Sequence, residues 1–244
     1  MAALWFPASH RHNKLKAICE ERLEASRAYR GLWKPSMSVF DFLKEVVETI
    51  AVDEIAVWGE ARHASVGILI AGTKQNPSIC FIRRAKWERD PWSEHIGFPG
   101  GSRAAGEDAL QTLRRELKEE IGWIAEDRRG PVQLPQLRIR LAGRERLMLL
   151  DAFVYRVEGA RPVLRCGPEV ESAFWIPVAE LWSLNNLDQH TLGDGGETLV
   201  YPAIRTSEGI IFGITLRVLT LLSDQLGIPL RYLEEIPMLR RTYR

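Results

Sequence analysis

The residues best equipped for chemistry lie in one stretch, Gly101-Ser-Arg-Ala-Ala-Gly-Glu107-Asp-Ala-Leu-Gln-Thr-Leu-Arg-Arg115-Glu116-Leu-Lys-Glu119-Glu120-Ile-Gly122. On an α-helix Glu116, Glu119 and Glu120 stand at i, i+3 and i+4, so their carboxylates crowd one patch of surface. Each such like-charged pair costs a few tenths of a kcal/mol, which a bland surface helix would avoid and a bound divalent cation would remove. Hard oxygen donors of this kind suit Mg²⁺, which takes a few carboxylates together with water and substrate oxygens. Zn²⁺ is not expected without Cys or His partners. Arg115 stands four residues before Glu119 and within reach of Glu107, where it would orient carboxylates from behind the metal. Phe98-Pro-Gly-Gly101 leads into the helix through two glycines, a tight turn whose backbone can face the same site.

Elements must hold that cluster in place. Leu110, Leu113, Leu117 and Ile121 form the opposite, apolar stripe of the helix, which stops at Gly122. Ahead of it, Val66-Gly-Ile-Leu-Ile70 and Ile79-Cys-Phe-Ile82 read as two paired strands, followed by a loop from Trp87 to Ala105. Behind it, Leu137 to Leu141 and Leu147 to Val157 read as a hairpin through Gly143, and Ala173 to Ile176 as a further strand. Pro177 opens a short helix through Leu181 and Leu184, a polar glycine-rich loop is expected from Asn185 to Thr198, and a long helix from about Phe212 to Leu226. Two amphipathic helices come first, carried by Leu15, Ile18, Cys19 and Leu23 and by Phe40, Leu43, Val46, Val47 and Ile50, with Ser38 as N-cap of the second. The fold class is α/β, with a mixed sheet flanked by helices and an N-terminal helical extension. The division expected is an extension over 1–61, one domain over 62–228 and a tail over 229–244.

With 45% hydrophobic and 27% charged residues, the chain has the composition of a globular protein with a buried core. Its 33 Lys and Arg nearly balance 32 Asp and Glu, so no global field favours DNA or an acidic membrane, and any attraction for phosphate is local. Cys19, Cys80 and Cys166 are far apart and lack metal-ligand spacing, so they read as free thiols of a reducing cytoplasm. The opening MAALWFPASHRHNK lacks the basic-then-apolar order of a secretory signal, and no apolar run nears the ~20 residues of a membrane span. The stripes of the N-terminal helices must be covered, either by the core or by a second copy in a homodimer.

The segment resembles the Nudix box at every fixed position: Gly101, Glu107, Arg115, Glu116, Leu117, Glu119, Glu120 and Gly122, with Trp123 where a smaller aliphatic residue is usual. The resemblance implies a Nudix-type α/β/α sandwich around a mixed sheet over roughly residues 62 to 228. It implies pyrophosphate hydrolysis in a nucleotide-like small molecule, with Mg²⁺ or Mn²⁺ bound by Glu116, Glu119, Glu120 and the carbonyl of Gly101, and Glu107 paired to Arg115. Glu116, Arg115 and Glu119 are the catalytic set so implied. The general base in such enzymes is either the residue matching Glu116, which we favour, or a carboxylate on a later loop; Glu169, Glu171 and Glu197 are available. Glu197 falls in the Gly193-Asp-Gly-Gly-Glu197 stretch, read as a loop mobile enough to close over substrate.

The lead-in from Arg83 to Gly101, ending in Phe98-Pro-Gly-Gly101, is similar to that of the coenzyme A pyrophosphatase branch, although Asp90 and Glu94 replace two of its motif positions. Tyr201-Pro-Ala and Ile211-Phe-Gly-Ile-Thr-Leu-Arg217 resemble the closing strand and helix of that branch. The resemblance implies coenzyme A or acyl-CoA as substrate, giving 3',5'-ADP and a phosphopantetheine product. ADP-ribose, NADH and dinucleoside polyphosphates are the alternatives, as is a Nudix domain that senses a nucleotide without cutting it. Arg83, Arg84 and His95 are candidate phosphate contacts, with only one of the two arginines expected to line the site because strand neighbours face opposite ways. Trp87 and Trp92 are candidates to stack on a base, although packing over the core edge is the commoner role of a loop tryptophan. An RNA-binding role finds no basic stripe with interleaved aromatics beyond Arg27 to Trp33.

Overall fold

A computed structural model describes residues 61–73, 75–88, 92–125, 130–140, 147–194, 197–226 and 230. The two amphipathic helices read before residue 61 lie outside the described residues, as do Gly143 and, apart from Leu230, the tail from 229 onward.

Strands β1 (Arg62–Gly72) and β2 (Pro77–Arg84) pair antiparallel, as the two apolar runs suggest. The stretch read as a loop from Trp87 to Ala105 holds two short strands, β3 (Ile96–Gly97) on β2 and β4 (Gly100–Ser102) on the other part of β1. After helix α1 (Ala109–Ile121) come β5 (Val132–Gln133), β6 (Leu137–Arg140) and β7 (Leu147–Arg156). β6 and β7 are antiparallel partners, while β7 runs parallel to β1 from Arg62↔Met148 to Ile70↔Arg156. β8 (Val170–Pro177) returns to β2, completing a mixed sheet. Helix α2 (Val178–Leu181) and a 3-10 turn (Leu184–Asn186) lead into β9 (Leu187–Asp194), β10 (Glu197–Thr206) and β11 (Gly209–Phe212), a separate antiparallel sheet, and then helix α3 (Gly213–Gln225).

The expected loop from Asn185 to Thr198 is therefore a hairpin, with Glu197 opposite Asp194 at its closed end. Glycines next to polar residues suit the end of a hairpin as well as an open loop, and pairing in register from Leu187↔Ile204 onward decides between them. Glu197 begins a strand where a loop was expected.

Strand alternation divides the interior in two. From β1, Ala64, Ile68 and Ile70 join Leu216, Leu219 and Leu222 of α3, whereas Leu69 joins Leu113, Leu117 and Ile121 of α1. The sheet thus lies between α1 and α3, the α/β/α arrangement expected. Leu230 is buried in the α3 core and its N–H donates to Ser223 Oγ at 2.8 Å, so that core reaches past residue 228. Among the described residues no helix is long and apolar enough to cross a membrane. Cys80 and Cys166 are free thiols, and burial pushes the Cys80 thiol up to about 12, which makes it an inert core group.

Candidate functional site

Helix α1 is capped at both ends by its own sequence. Asp108 Oδ1 accepts from the Gln111 N–H at 2.8 Å while Gln111 Oε1 accepts from the Asp108 N–H at 2.9 Å, a reciprocal box. At the other end Gly122 takes the left-handed conformation at φ 65°, which lets Trp123 turn back so that its N–H donates to the Leu117 carbonyl. Trp123 then packs edge-on against Tyr155 at 5.1 Å, which accommodates an aromatic ring at a position usually held by a smaller residue.

The three glutamates do not share one environment. Glu120 is 4% exposed and belongs to the buried side of α1 with Leu113 and Leu117. Its Oε2 accepts the Gly100 N–H at 2.7 Å. Burial pushes its carboxyl up to about 7, with Glu116 and Glu169 near enough to push the same way and Arg84 near enough to oppose them. Glu116 is half-buried against Gly101: a Cβ on that glycine would sit 2.6 Å from the Glu116 carboxyl carbon. Its proton affinity is also raised, first by burial, against the pull of Arg115. Glu119 points outward, its side chain 58% exposed.

Arg115 binds this cluster together. Its guanidinium donates to Glu107 at 2.7 and 3.1 Å, to Glu116 at 2.8 Å, to Glu119 at 3.0 Å and to the Ser102 carbonyl at 3.1 Å. Only a planar fork of five N–H groups can serve so many oxygens at once. The hydrogen bond from Arg115 holds Glu107 down at about 2, so Glu107 is a fixed anion and no proton donor.

Of the other candidates, Arg84 faces Glu120 while Arg83, next in the strand, faces away. Arg83 donates to the Glu208 carbonyl at 2.5 Å, lies 4.0 Å from Glu171 and stacks over Phe174. His95 packs edge-on against Phe212 at 4.8 Å, and its carbonyl accepts the Arg84 N–H. Trp87 and Trp92 are exposed, on the loop whose Ala85 N–H donates to the Glu169 carbonyl.

Two contributors are placed beside the cluster only by the fold. Glu169 follows Gly167, whose N–H donates to the Glu120 carbonyl at 2.9 Å, so the 165–169 segment is pinned to the end of α1. Gly167 lies so close there that any Cβ would run into the Glu119 carbonyl oxygen. A glycine within a charged stretch, Arg165-Cys-Gly-Pro-Glu169, is the signal that marks this approach. The short strand β4 is the other: all three of its residues touch the cluster.

The NUDIX domain family matches residues 61–194, more than half of the chain. The chain belongs to the Nudix family. Over 141 residues this Nudix chain is 34% identical to the uncharacterized protein C14C4.10c of Schizosaccharomyces pombe, an alignment covering 49% of this chain and only 43% of the yeast protein. A MutT/nudix family protein from Enterococcus faecalis is similar in structure at 15% identity and a TM-score of 0.45, over 91% of this chain and 79% of its own. The NUDIX domain of Shewanella oneidensis NrtR, solved with ADP ribose, matches at 16% identity and a TM-score of 0.42, over 51% of this chain and 77% of its own.

Nudix hydrolases generally use divalent metals such as Mg²⁺, and the donors present here suit one. They are oxygen only, and Glu116 and Glu120 are carboxylates whose burial makes their charge expensive until a cation neutralises it. Among the described residues no three Asp, Glu, His or Cys side chains converge enough to cage an ion by themselves.

Proposed function

We propose that this Nudix chain hydrolyses a pyrophosphate bond in a nucleoside diphosphate derivative, with Mg²⁺ or Mn²⁺ held by Glu116, Glu119, Glu120 and the Gly101 carbonyl. The observation that carries the reading is the buried Glu120 carboxylate tied to Gly100 beside Glu116 and Gly101. The cation, when bound, neutralises charge on the pyrophosphate and acidifies the attacking water. Glu120 is fixed by its backbone donor and serves as a preset ligand. Glu119, exposed and joined to Arg115 by one bond, is free to swing inward. Arg115 holds Glu116 in orientation and is itself anchored by Glu107.

Arg84, near enough to Glu120 to act on its charge, is the arginine we assign to the substrate phosphate. We assign the general base to Glu116, whose raised proton affinity suits a group that takes a proton from water. Glu169 is the alternative base, favoured by its approach to both Glu116 and Glu120, whereas Glu171 is paired to Arg83. In the reaction, water attacks one phosphorus, its proton passes to the base, the P–O–P bond breaks and two phosphate monoesters leave.

For the substrate we put coenzyme A or an acyl derivative first, on the Phe98-Pro-Gly-Gly101 lead-in and the Tyr201-Pro-Ala and Ile211 to Arg217 segments. The test is chromatography of products from coenzyme A, ADP-ribose, NADH and dinucleoside polyphosphates with Mg²⁺. Coenzyme A should yield 3',5'-ADP and a phosphopantetheine product, and Glu119→Gln and Glu120→Gln should each lose about 4 kcal/mol of transition-state stabilisation, a thousandfold in rate. No cleavage of any compound, or undiminished turnover in either variant, defeats the reading; cleavage of another panel member alone defeats only the coenzyme A assignment.

A further inference from the structure

The acidic cluster rests on a very short strand, continued toward β1 at one end by the Gly67 N–H, which donates to the Pro99 carbonyl at 2.8 Å. β4 is three residues long, two of them glycine, and pairs with β1 only at Ala64↔Ser102, Ser65↔Gly101 and Val66↔Gly100. Yet Gly100 supplies the N–H to Glu120, Gly101 lies against the Glu116 carboxylate, and Ser102 supplies the carbonyl to Arg115. A shift of β4 by a fraction of an ångström would disturb all three.

The residue after the strand is Arg103. Its N–H donates to the His63 carbonyl at 2.9 Å, and its side chain reaches Asp151 on β7 at 3.1 Å. Asp151 is the parallel partner of Ser65, and Ser65 is the antiparallel partner of Gly101, so the Arg103 side chain straps across β1 from β4 to β7. Asp151 is 3% exposed, and its other oxygen accepts from Gln136 at 2.9 Å and Gln133 at 3.2 Å. Around the pair, Ser65 Oγ, Arg103 Nε, Gln136 Oε1 and His63 Nδ1 are buried with no hydrogen-bond partner among the described residues. Buried ion pairs seldom add net stability over apolar side chains of the same size, and unpaired polar atoms subtract from it. So much polarity inside the sheet is better accounted for by what it positions.

We propose that Arg103 and Asp151 are positioning residues, an ion-pair clamp that fixes β4 under the acidic cluster and thereby sets the affinity of that cluster for a divalent cation. The inference rests on the metal-binding reading above. The two side chains make no hydrogen bond or ion pair to Glu116, Glu119 or Glu120 and act through the backbone of Gly100 to Ser102. Outer residues that orient metal ligands typically change metal affinity ten- to a hundredfold when removed, roughly the effect expected here.

The experiment is Mn²⁺ titration of the full chain, followed by the electron paramagnetic resonance of the free ion, with amide exchange measured in chelator. Arg103→Met and Asp151→Asn should each weaken Mn²⁺ binding by about tenfold or more and speed exchange at Gly101, whose partner on β1 is Ser65. The double variant should bind no more weakly than the worse single one, because the pair acts as a unit. Arg103→Lys, which keeps the charge, should recover part of the affinity, and it carries the test with Arg103→Met should Asp151→Asn fail to fold. Leu222→Ala, on α3, controls for lost stability: its Mn²⁺ affinity should stay within about twofold of wild type, since Leu222 belongs to the core on the α3 side of the sheet and not to the one that packs α1. Folded Arg103 variants that bind Mn²⁺ as wild type does, or a Leu222→Ala variant weakened as much as they are, would overturn the clamp. Failure of the folded wild type to bind Mn²⁺ would instead remove the metal-binding reading, and the clamp with it.

Discussion

Glu120→Gln should make the protein more stable and less active, and the two effects come from one cause. In the folded chain burial raises the Glu120 carboxyl from its usual 4.5 to about 7. A raised carboxyl binds its proton more tightly folded than unfolded, so its contribution to stability is fully present below about 4.5 and is lost as pH rises through about 7. The span between those values corresponds to about 3 kcal/mol, which the metal-free protein gives up between pH 5 and pH 8. Glu116, raised in the same direction, adds to the slope. Glu107, held at about 2, makes its contribution above the usual carboxylate range and loses it only on strong acidification, so it is silent in this window.

Glutamine keeps the oxygen that accepts the Gly100 N–H but carries no charge at any pH. In chelator at pH 8, Glu120→Gln should exceed wild type by up to about 3 kcal/mol, or roughly 6 to 12 °C in Tm for a domain of this size. At pH 5 the two should nearly coincide. Mg²⁺ should raise wild type at pH 8 and leave the variant where it was, while turnover falls about a thousandfold in the variant. Thermal melts at four pH values from 5 to 8, with and without Mg²⁺, read all of this. The reasoning is refuted by a variant less stable than wild type at pH 8 in chelator, or by a wild-type melting curve that rises from pH 5 to 8 as steeply as the variant's.

Further substitutions probe the other contacts. Gly101→Ala places a methyl group on the Glu116 carboxylate and should cut kcat by about a hundredfold with little change in Tm, measured by Mg²⁺-dependent turnover and melting. Arg115→Lys cannot serve Glu107, Glu116, Glu119 and Ser102 together, so the Mg²⁺ concentration for half-maximal activity should rise by about tenfold or more. Gly167→Ala drives a methyl group into the Glu119 carbonyl and should loosen the 165–169 segment, seen as faster amide exchange there and reduced kcat. Glu169→Gln separates the two base assignments: a drop in kcat of about a hundredfold or more, with loss of the acidic limb of the pH profile, would move the base from Glu116 to Glu169.

What the sequence disclosed depended on how local the signal was. The α1 stripe and its stop at Gly122 repeat within a few turns of one helix, and periodicity exposes them, whereas the Glu107 to Arg115 pairing, which starts ahead of the helix, is implied by the resemblance to the Nudix box. Helical spacing groups Glu120 with Glu116 and Glu119 on one patch of surface, and the structure adds that Glu120 is buried, three residues after Leu117 on the edge of the apolar stripe. β4 escaped because three residues are too few for a pattern and its glycines suggest a turn. The β9 and β10 hairpin escaped for a related reason, since Gly193 and its neighbours look the same in a loop and at a strand end. Arg103 and Asp151 lie 48 positions apart and meet only because β1, β4 and β7 are neighbours in the sheet, a relation that no window along the chain contains.

That last relation also explains why the site needs a mixed sheet. β4 reaches the acidic cluster by pairing antiparallel with β1, while β7 lies parallel on the other edge of β1 and brings Asp151 level with Gly101 through Ser65. A parallel neighbour requires a long crossover, and here α1 lies within it, between β2 and β7 in the chain. The same crossover thus delivers the glutamates to one face of β1 and the carboxylate that steadies their backbone partners to its far edge. Helix and clamp are consequences of one connection, so moving β7 by a register step should disturb metal ligation as surely as replacing a ligand.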